Sequence, residues 1–316
     1  MKAKFLRQTK VVAATFFILS ALFTGCKKSS TPAPPASTTI TDIVSANSSF
    51  TLLKSAVVKA GLATTLSSAG PFTVFAPSDT AFTGSGITAS VINTLTADQL
   101  KTILLYHTLG AKVLAADVPA GPNAKVITAS GDSVFVTKNA SGVFVNGIPV
   151  TQADIPASNG VIHAIARVLL PPAGNIVQVA QADTSFTYLV AAVLRASTGS
   201  TPVATVLSTG GPFTVFAPTN KAFRAAGFAT IDTINAADPD ALAAILTYHV
   251  VAGRVFSSDL TEGGQPTTVN GEKVTISLLS GASVKGNSNT TASNIIASNI
   301  MANNGVVHVI DQVLLP

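Results

Sequence analysis

The chain has 316 residues, enough for about two domains at ~150 residues each, and it is apolar, with 47% hydrophobic and only 10% charged residues. No apolar run reaches the ~20 residues that a bilayer-spanning helix needs; Trp is absent and Tyr occurs three times. Four of the 19 Lys and Arg lie in residues 1–25, and setting these four aside leaves 15 against 14 Asp and Glu, which excludes the basic stripe that grips nucleic acid.

In chain order, Lys2, Lys4, Arg7 and Lys10 precede an apolar stretch over residues 11–24. This layout predicts a secretory signal over residues 1–25 that takes no part in the fold. It ends in Phe23-Thr24-Gly25-Cys26, which resembles a bacterial lipobox with Phe23 where Leu is usual. In a lipobox the chain is cut before the cysteine and the cysteine is lipidated. The alternative is an ordinary signal peptide with a stray cysteine. Acyl chains on Cys26 would anchor the protein to a membrane, at ~0.8 kcal/mol per buried CH₂. Cys26 is the single cysteine, so no disulfide, Cys metal ligand or Cys nucleophile is expected. The next residues, Lys27-Lys28-Ser29-Ser30, lack Asp after the cysteine, which resembles sorting to the outer membrane, facing the periplasm or the exterior. Residues 26–38, rich in Ser, Thr, Pro and Ala, read as a flexible tether.

The rest of the chain is a repeat. GPFTVFAPSDTAF begins at Gly70 and GPFTVFAPTNKAF at Gly211, 141 positions on (211 minus 70). Ser49-Phe50-Thr51 matches Ser185-Phe186-Thr187, Tyr106-His107 matches Tyr248-His249, and Asn159-Gly160-Val161-Ile162-His163 matches Asn304-Gly305-Val306-Val307-His308. The repeat unit is the size of a domain, well beyond the 20–50 residues of solenoid repeats. The junction falls near Pro171-Pro172, giving domains at 39–172 and 173–316.

Within a unit, Ile40, Ile43, Val44, Phe50, Leu53 and Val57 recur at helical spacing. Phe72-Thr73-Val74-Phe75 alternates between Gly-Pro and Pro and reads as a strand, and Pro77-Ser78-Asp79 starts a helical turn carrying Phe82. Thr96 and Gln99 form a capping box for the next helix, whose copy starts at Asp238-Pro239. Leu100, Ile103, Leu104 and His107 share one face of it, as do Leu242, Ile245, Leu246 and His249. Strands follow at 132–137 and 142–147, with equivalents at 272–279 and 282–285, and a last strand at 161–170 is apolar on both faces. Helices first and sheet later predict an α+β fold.

All four histidines fall in equivalent pairs. A zinc site needs three or four convergent ligands, whereas each unit offers two His and no acid at ligand spacing. Ser78-Asp79 becomes Thr219-Asn220 in the second unit, so a Ser–His–Asp set is not kept. No catalytic residue, metal site or cofactor is therefore expected. The histidines read as core residues that tie helix to strand, since a neutral imidazole both donates and accepts; a binding role and catalysis are the alternatives. Phe75 and Phe216, with the other copied Phe, read as core.

Together these motifs, F-T-V-F-A-P-[ST]-[DN]-x-A-F, then Tyr-His, then N-G-V-[IV]-H with V-L-L-P, resemble the fasciclin (FAS1) domain, in two copies over about residues 39–316. The resemblance implies two tandem domains, each a wedge-shaped β-sandwich with several packed helices, serving in cell adhesion and matrix contacts. It also implies partner-contact positions: Tyr106, His107, Asp154 and Ile155 in the first copy, and Tyr248 and His249 in the second, where Asn299 replaces the Asp. His163 and His308 remain core residues on this reading. The expected protein is a non-enzymatic, membrane-anchored adhesion or interaction protein with a protein or matrix partner. The alternative is a binding protein for a small apolar ligand or glycan, held between helices and sheet.

Overall fold

The computed structural model describes residues 38–316, so the expected signal segment, Cys26 and residues 27–37 of the tether lie outside the described residues. The first domain opens with helices α1 (Ile40–Ala46), α2 (Thr51–Lys59) and α3 (Ala63–Ser67). Strand β1 (Phe72–Pro77) is followed by α4 (Asp79–Gly84), α5 (Ala89–Thr94) and α6 (Ala97–Tyr106). The remaining strands are β2 (Thr108–Leu109), β3 (Gly121–Ile127), β4 (Ser133–Asn139), β5 (Gly142–Val145), β6 (Ile148–Ala157) and β7 (Gly160–Ile165).

The second domain repeats the order with α7 (Ile176–Ala182), α8 (Thr187–Ala196), α9 (Val203–Thr209), β8 (Phe213–Pro218), α10 (Asn220–Ala225), α11 (Ile231–Asn235) and α12 (Pro239–Tyr248). Its later strands are β9 (Val250–Ala252), β10 (Thr275–Ser277), β11 (Ser283–Lys285), β12 (Ser293–Ala302) and β13 (Gly305–Ile310). No helix among the described residues is long and apolar enough to cross a membrane.

Side chains that satisfy free N–H groups set the helix starts. Thr96 Oγ1 accepts from Gln99 N at 3.2 Å and Gln99 Oε1 accepts from Thr96 N at 2.9 Å, closing the capping box of α6. Asp238 caps α12, with Pro239 at its first position. Ser78 and Thr219 cap α4 and α10 in the same way, so either hydroxyl suffices. Asp79 Oδ1 accepts from Leu52 N and Asn220 Oδ1 from Tyr188 N, capping α2 and α8 from a distance. The loss of the carboxylate between copies is therefore immaterial: both residues accept from a helix N-terminus.

The two copied motifs are spatial neighbours. β1 pairs with β7 in parallel, Phe72 opposite Gly160 and Phe75 opposite His163, and β8 pairs with β13 in the same register. A Cβ on Gly160 would lie 2.1 Å from Phe72 O, so only glycine permits this approach. The preceding Asn159 accepts from Ile40 N at the start of α1 and donates to Leu66 O and Ser68 O at the end of α3. Asn304 makes the equivalent bonds to Ile176, Leu207 and Gly210. One motif thus joins the central strand to two helices.

Each domain has one continuous sheet, in the orders β2-β1-β7-β6-β5-β4-β3 and β10-β11-β12-β13-β8-β9. Strand alternation divides its two faces. Val74, Ala76, Ile162 and Ala164 pack on the helices, while Phe75 and Ile165 meet Val134, Val136 and Val145 from the far end of the same sheet. The two layers of the expected sandwich are therefore one curled sheet, bent where β6 shifts register twice against β7. In the second domain Pro266 stands where β3 has Val126. Proline offers no N–H to a ladder, and only an isolated Thr267–Lys273 bridge remains there.

The last strand is shorter than its sequence suggests, ending at Ile165 rather than Leu170. Beyond Ile165 the amides turn to other partners: Val168 N donates to Ser85 Oγ and Leu169 N to His107 Nε2.

Both domains belong to one compact unit. At their seam Phe135 of β4 packs with Phe256, Met301 and Val306 of the second domain, and the Arg254 guanidinium lies 4.3 Å from the Phe135 ring centre. Asn123 donates to Arg254 O at 2.6 Å, Thr137 to Asp259 Oδ1 at 3.0 Å and Asn139 to Ser258 O at 3.0 Å. Phe135→Ala removes the aromatic anchor and the cation–π contact, which contributes about 0.5–2 kcal/mol. Small-angle scattering of this variant is expected to show a broadened distribution of interdomain distances, while each domain keeps its own thermal transition.

Candidate functional site

The residues singled out in the sequence fall into two groups, an interior histidine frame and an exposed bulge. His107 is the C-cap of α6, fully buried, and its Nδ1–H donates to Ile103 O at 2.8 Å. Its Nε2 accepts from Leu169 N at 2.9 Å. His249 repeats the arrangement with Ile245 O and Leu314 N, each at 2.8 Å. An amide N–H aimed at Nε2 requires an unprotonated nitrogen, so both rings are neutral Nδ1–H tautomers. Burial pushes both pKa values down to about 4.

The other pair uses the opposite tautomer. His163 Nε2–H donates to Val113 O at 2.9 Å and Nδ1 accepts from Asp154 N at 3.1 Å. His308 does the same with Val255 O and Asn299 N, and burial lowers its pKa. Each ring also stacks on the copied Phe of its neighbouring strand, with centres 5.9 Å apart for Phe75–His163 and 5.8 Å for Phe216–His308. Tyr106 and Tyr248 are completely buried. The Tyr106 hydroxyl donates to Ser133 O and accepts from Asn146 Nδ2, and burial raises its pKa to about 12. The Tyr248 hydroxyl donates to Lys273 O and accepts from Asn287 N.

Four of the six positions expected to touch a partner, Tyr106, His107, Tyr248 and His249, are thus interior, each within 2% of full burial. Ile155 is half-buried against the helix core. Asp154 alone is well exposed, with 41% of its side chain in solvent.

Asp154 sits in the bulge of β6 at φ +58°, a left-handed conformation that Asp and Asn adopt more readily than most residues; Asn299 sits at φ +66°. Its Oδ1 accepts from Ala115 N at 2.9 Å and lies 3.9 Å from His163 Nδ1. Since that nitrogen accepts the Asp154 amide it carries no proton, and the pair is not an ion pair. Asn299 Oδ1 accepts from Ser257 N in the same manner, and its Nδ2 donates to Gly147 O of the first domain. Position 299 is thus used at the seam, while position 154 faces solvent.

Sequence reasoning missed the segment that these groups hold. Residues 111–117 and 253–259 are tied by the motif threonines: Thr73 Oγ1 donates to Ala111 O and accepts from Val113 N, and Thr214 bonds Gly253 and Val255 alike. The signal was the identical Thr in both copies. Beside the seam lies a cleft of about 770 Å³, lined on one side by Leu169, Leu170 and Arg167 and on the other by Ile295, Ile296 and Met301. Leu170 is 53% and Ile296 58% exposed. Among the described residues no group of three His, Cys, Asp or Glu side chains is placed to hold a metal ion.

A parallel pair of copied motifs, pinned by four neutral histidines and curled into a sheet under a helical layer, defines a tandem α+β domain protein. The fasciclin domain matches residues 48–171 and 184–316, and the chain belongs to that family. It is 40% identical over 136 residues to protein sll1483 of Synechocystis, covering 42% of this chain and 74% of that one. It is 28% identical over 257 residues to the transforming growth factor-beta-induced protein ig-h3 of Sus scrofa, covering 78% of this chain and 35% of that protein. The chain therefore spans about a third of that animal relative's length. Among solved structures it resembles a FAS1 domain pair from the insect cell adhesion molecule fasciclin I, at 19% identity and a TM-score of 0.41, covering 84% of this chain and 97% of the other.

The histidine frame carries a pH dependence. His107 and His249 titrate near 4 when folded and near 6.5 when unfolded, so between these values the unfolded chain binds more protons. Their contribution is complete above about pH 6.5 and declines as pH falls toward 4, by roughly 3 kcal/mol per ring. Denaturant titrations at pH 7.5, 5.5 and 4.5 are expected to show this loss, with a shallower slope in His107→Gln.

Proposed function

We propose that this chain is a non-enzymatic adhesion or interaction protein, exported and held at a bacterial membrane, the outer membrane, through a lipid on Cys26. Its two fasciclin domains form a rigid pair that meets a protein or matrix partner with its outer faces. One observation carries this reading: all four histidines, the side chains best suited to acid–base chemistry, have both ring nitrogens bonded to backbone groups. The residues that resemble catalytic equipment hold the interior together, and what is left for function is surface. Two features of that surface suit contact: the exposed Asp154 bulge, and the cleft flanked by Leu170 and Ile296, where apolar side chains stand in solvent. The family relation supports the same reading, since the fasciclin domain is matched by both halves of the chain.

Cells carrying the full chain should attach to one another or to matrix. Attachment should be lost when residues 39–316 are deleted and fall several-fold in the double variant Leu170→Ser, Ile296→Ser. Tyr106→Phe should attach as wild type does. Attachment unchanged by the deletion would overturn the proposal.

A further inference from the structure

The first domain contains a hollow of about 290 Å³ on the inner face of its curled sheet, walled by Phe75, Leu109, Val113, Val136, Val143 and Val150. Two buried polar side chains, Thr73 and His163, also line it. Both have their hydrogen bonds committed elsewhere, Thr73 to Ala111 and Val113, His163 to Val113 and Asp154. The wall therefore presents carbon, and a water inside would find few of the two to four polar partners it needs.

A roof covers this hollow. Lys138 Nζ donates to Ala115 O and Val118 O, and Asp154 Oδ1 accepts from Ala115 N, so the roof segment is pinned to β4 and to the β6 bulge. The exposed Asp117, Pro119 and Ala153 mark the opening. Lys125 also lines the hollow, with its side chain exposed, and of the other two charges nearby neither is free to meet a ligand's charge. The Asp117 carboxylate accepts from Leu114 N, and the Lys138 ammonium is held by the two carbonyls.

Around the equivalent space the second domain carries a larger side chain at three places and a smaller one at two, Val251 for Leu109 and Ala282 for Val143. Val150 and Ile295 occupy equivalent places opposite Ile165 and Ile310. Val136 and Ile276 face Val145 and Val284. Val118 and Leu260 follow the equivalent Asp117 and Asp259, which accept from Leu114 N and Phe256 N. At all three places the second copy carries one more carbon, and Phe216, Val251, Ile276, Leu260 and Ile295 pack in a single cluster. The first domain, whose roof segment is not covered by a neighbouring domain's Phe135, keeps Val118, Val136 and Val150 at these three places.

The geometry points to a binding site in the first domain for a compact, uncharged hydrocarbon group of about ten to twelve carbon atoms. An apolar cavity of about 150 Å³ accepts benzene, and this hollow has about twice that volume. The hydrocarbon has two possible sources, a free apolar small molecule or the end of a lipid acyl chain. The site stands independently of the adhesion reading.

Naphthalene, with ten carbons, is the probe. Titrated into the full chain, it should shift the methyl resonances of Val113, Val136, Val143 and Val150 to saturation, with intermolecular nuclear Overhauser effects to them. The triple variant Val118→Leu, Val136→Ile, Val150→Ile, which installs the second domain's residues, should bind at least tenfold more weakly at an unchanged melting temperature. Vesicles of phosphatidylethanolamine and phosphatidylglycerol separate the sources. Shifts of the same methyls assign an acyl chain, and naphthalene binding with no vesicle response assigns a free molecule. Wild-type affinity in the folded triple variant, or no saturating shift at these methyls, overturns the site. If the triple variant fails to fold, the Overhauser contacts in the wild type decide alone.

Discussion

The architecture depends on a neutral imidazole with a backbone carbonyl on one nitrogen and a backbone amide on the other. Leaving a buried donor or acceptor without a partner costs about 1–3 kcal/mol, and each of these rings bonds two backbone groups, one of them an amide N–H: Leu169, Leu314, Asp154 or Asn299. His107 and His249 join the end of a helix to the chain leaving the central strand. His163 and His308 join the central strand to the bulge beside it and to the roof segment. The copied phenylalanines stack on the second pair, and the copied threonines hold the same roof from β1 and β8. Burial suits this role, because it lowers the pKa values of His107, His249 and His308 and so favours their neutral form.

With the interior so constrained, the two copies diverge where constraint is weakest. At the seam the first domain supplies Phe135 and the second supplies Arg254 and Phe256. The equivalent residues, Lys112 and Leu114 in the first domain's roof and Thr275 in the second domain's β10, do not reproduce that aromatic and guanidinium set. The pairing of domains is thus encoded once, at the internal junction. The bulge follows the same logic: one copy uses position 299 to bond its neighbour, and the other leaves Asp154 in solvent. So does the hollow, lined by Val118, Val136 and Val150 where the second copy has Leu260, Ile276 and Ile295.

Much of this was legible in the sequence because it is local. The Thr96–Gln99 box and the Asp238-Pro239 start each occupy a few consecutive residues, and the structure shows both. The repeat was legible because its motifs are nearly identical, and it carried both the family and the tandem α+β fold. What escaped is long-range. That the two motifs of a unit lie side by side in parallel follows from a register spanning about ninety residues, Phe72 to Gly160. No periodicity reports such a pairing. The left-handed Asp154 was noticed only through the family resemblance, since one positive φ leaves no hydropathy pattern. The strand end at Ile165 was overrun because residues 168–170 stay apolar while their amides turn to Ser85 and His107. The burial of Tyr106 and Tyr248 also escapes, since a hydroxyl satisfied by the carbonyl of a distant segment is invisible in a local pattern.

The central claim is tested most directly by long-range ¹H–¹⁵N correlation spectra of the imidazole nitrogens at pH 7. The account predicts four neutral rings, with His107 and His249 protonated on Nδ1 and His163 and His308 on Nε2, and no change when zinc is added. Charged rings, the opposite tautomers or zinc-dependent shifts would contradict it and return the histidines to the list of reactive groups.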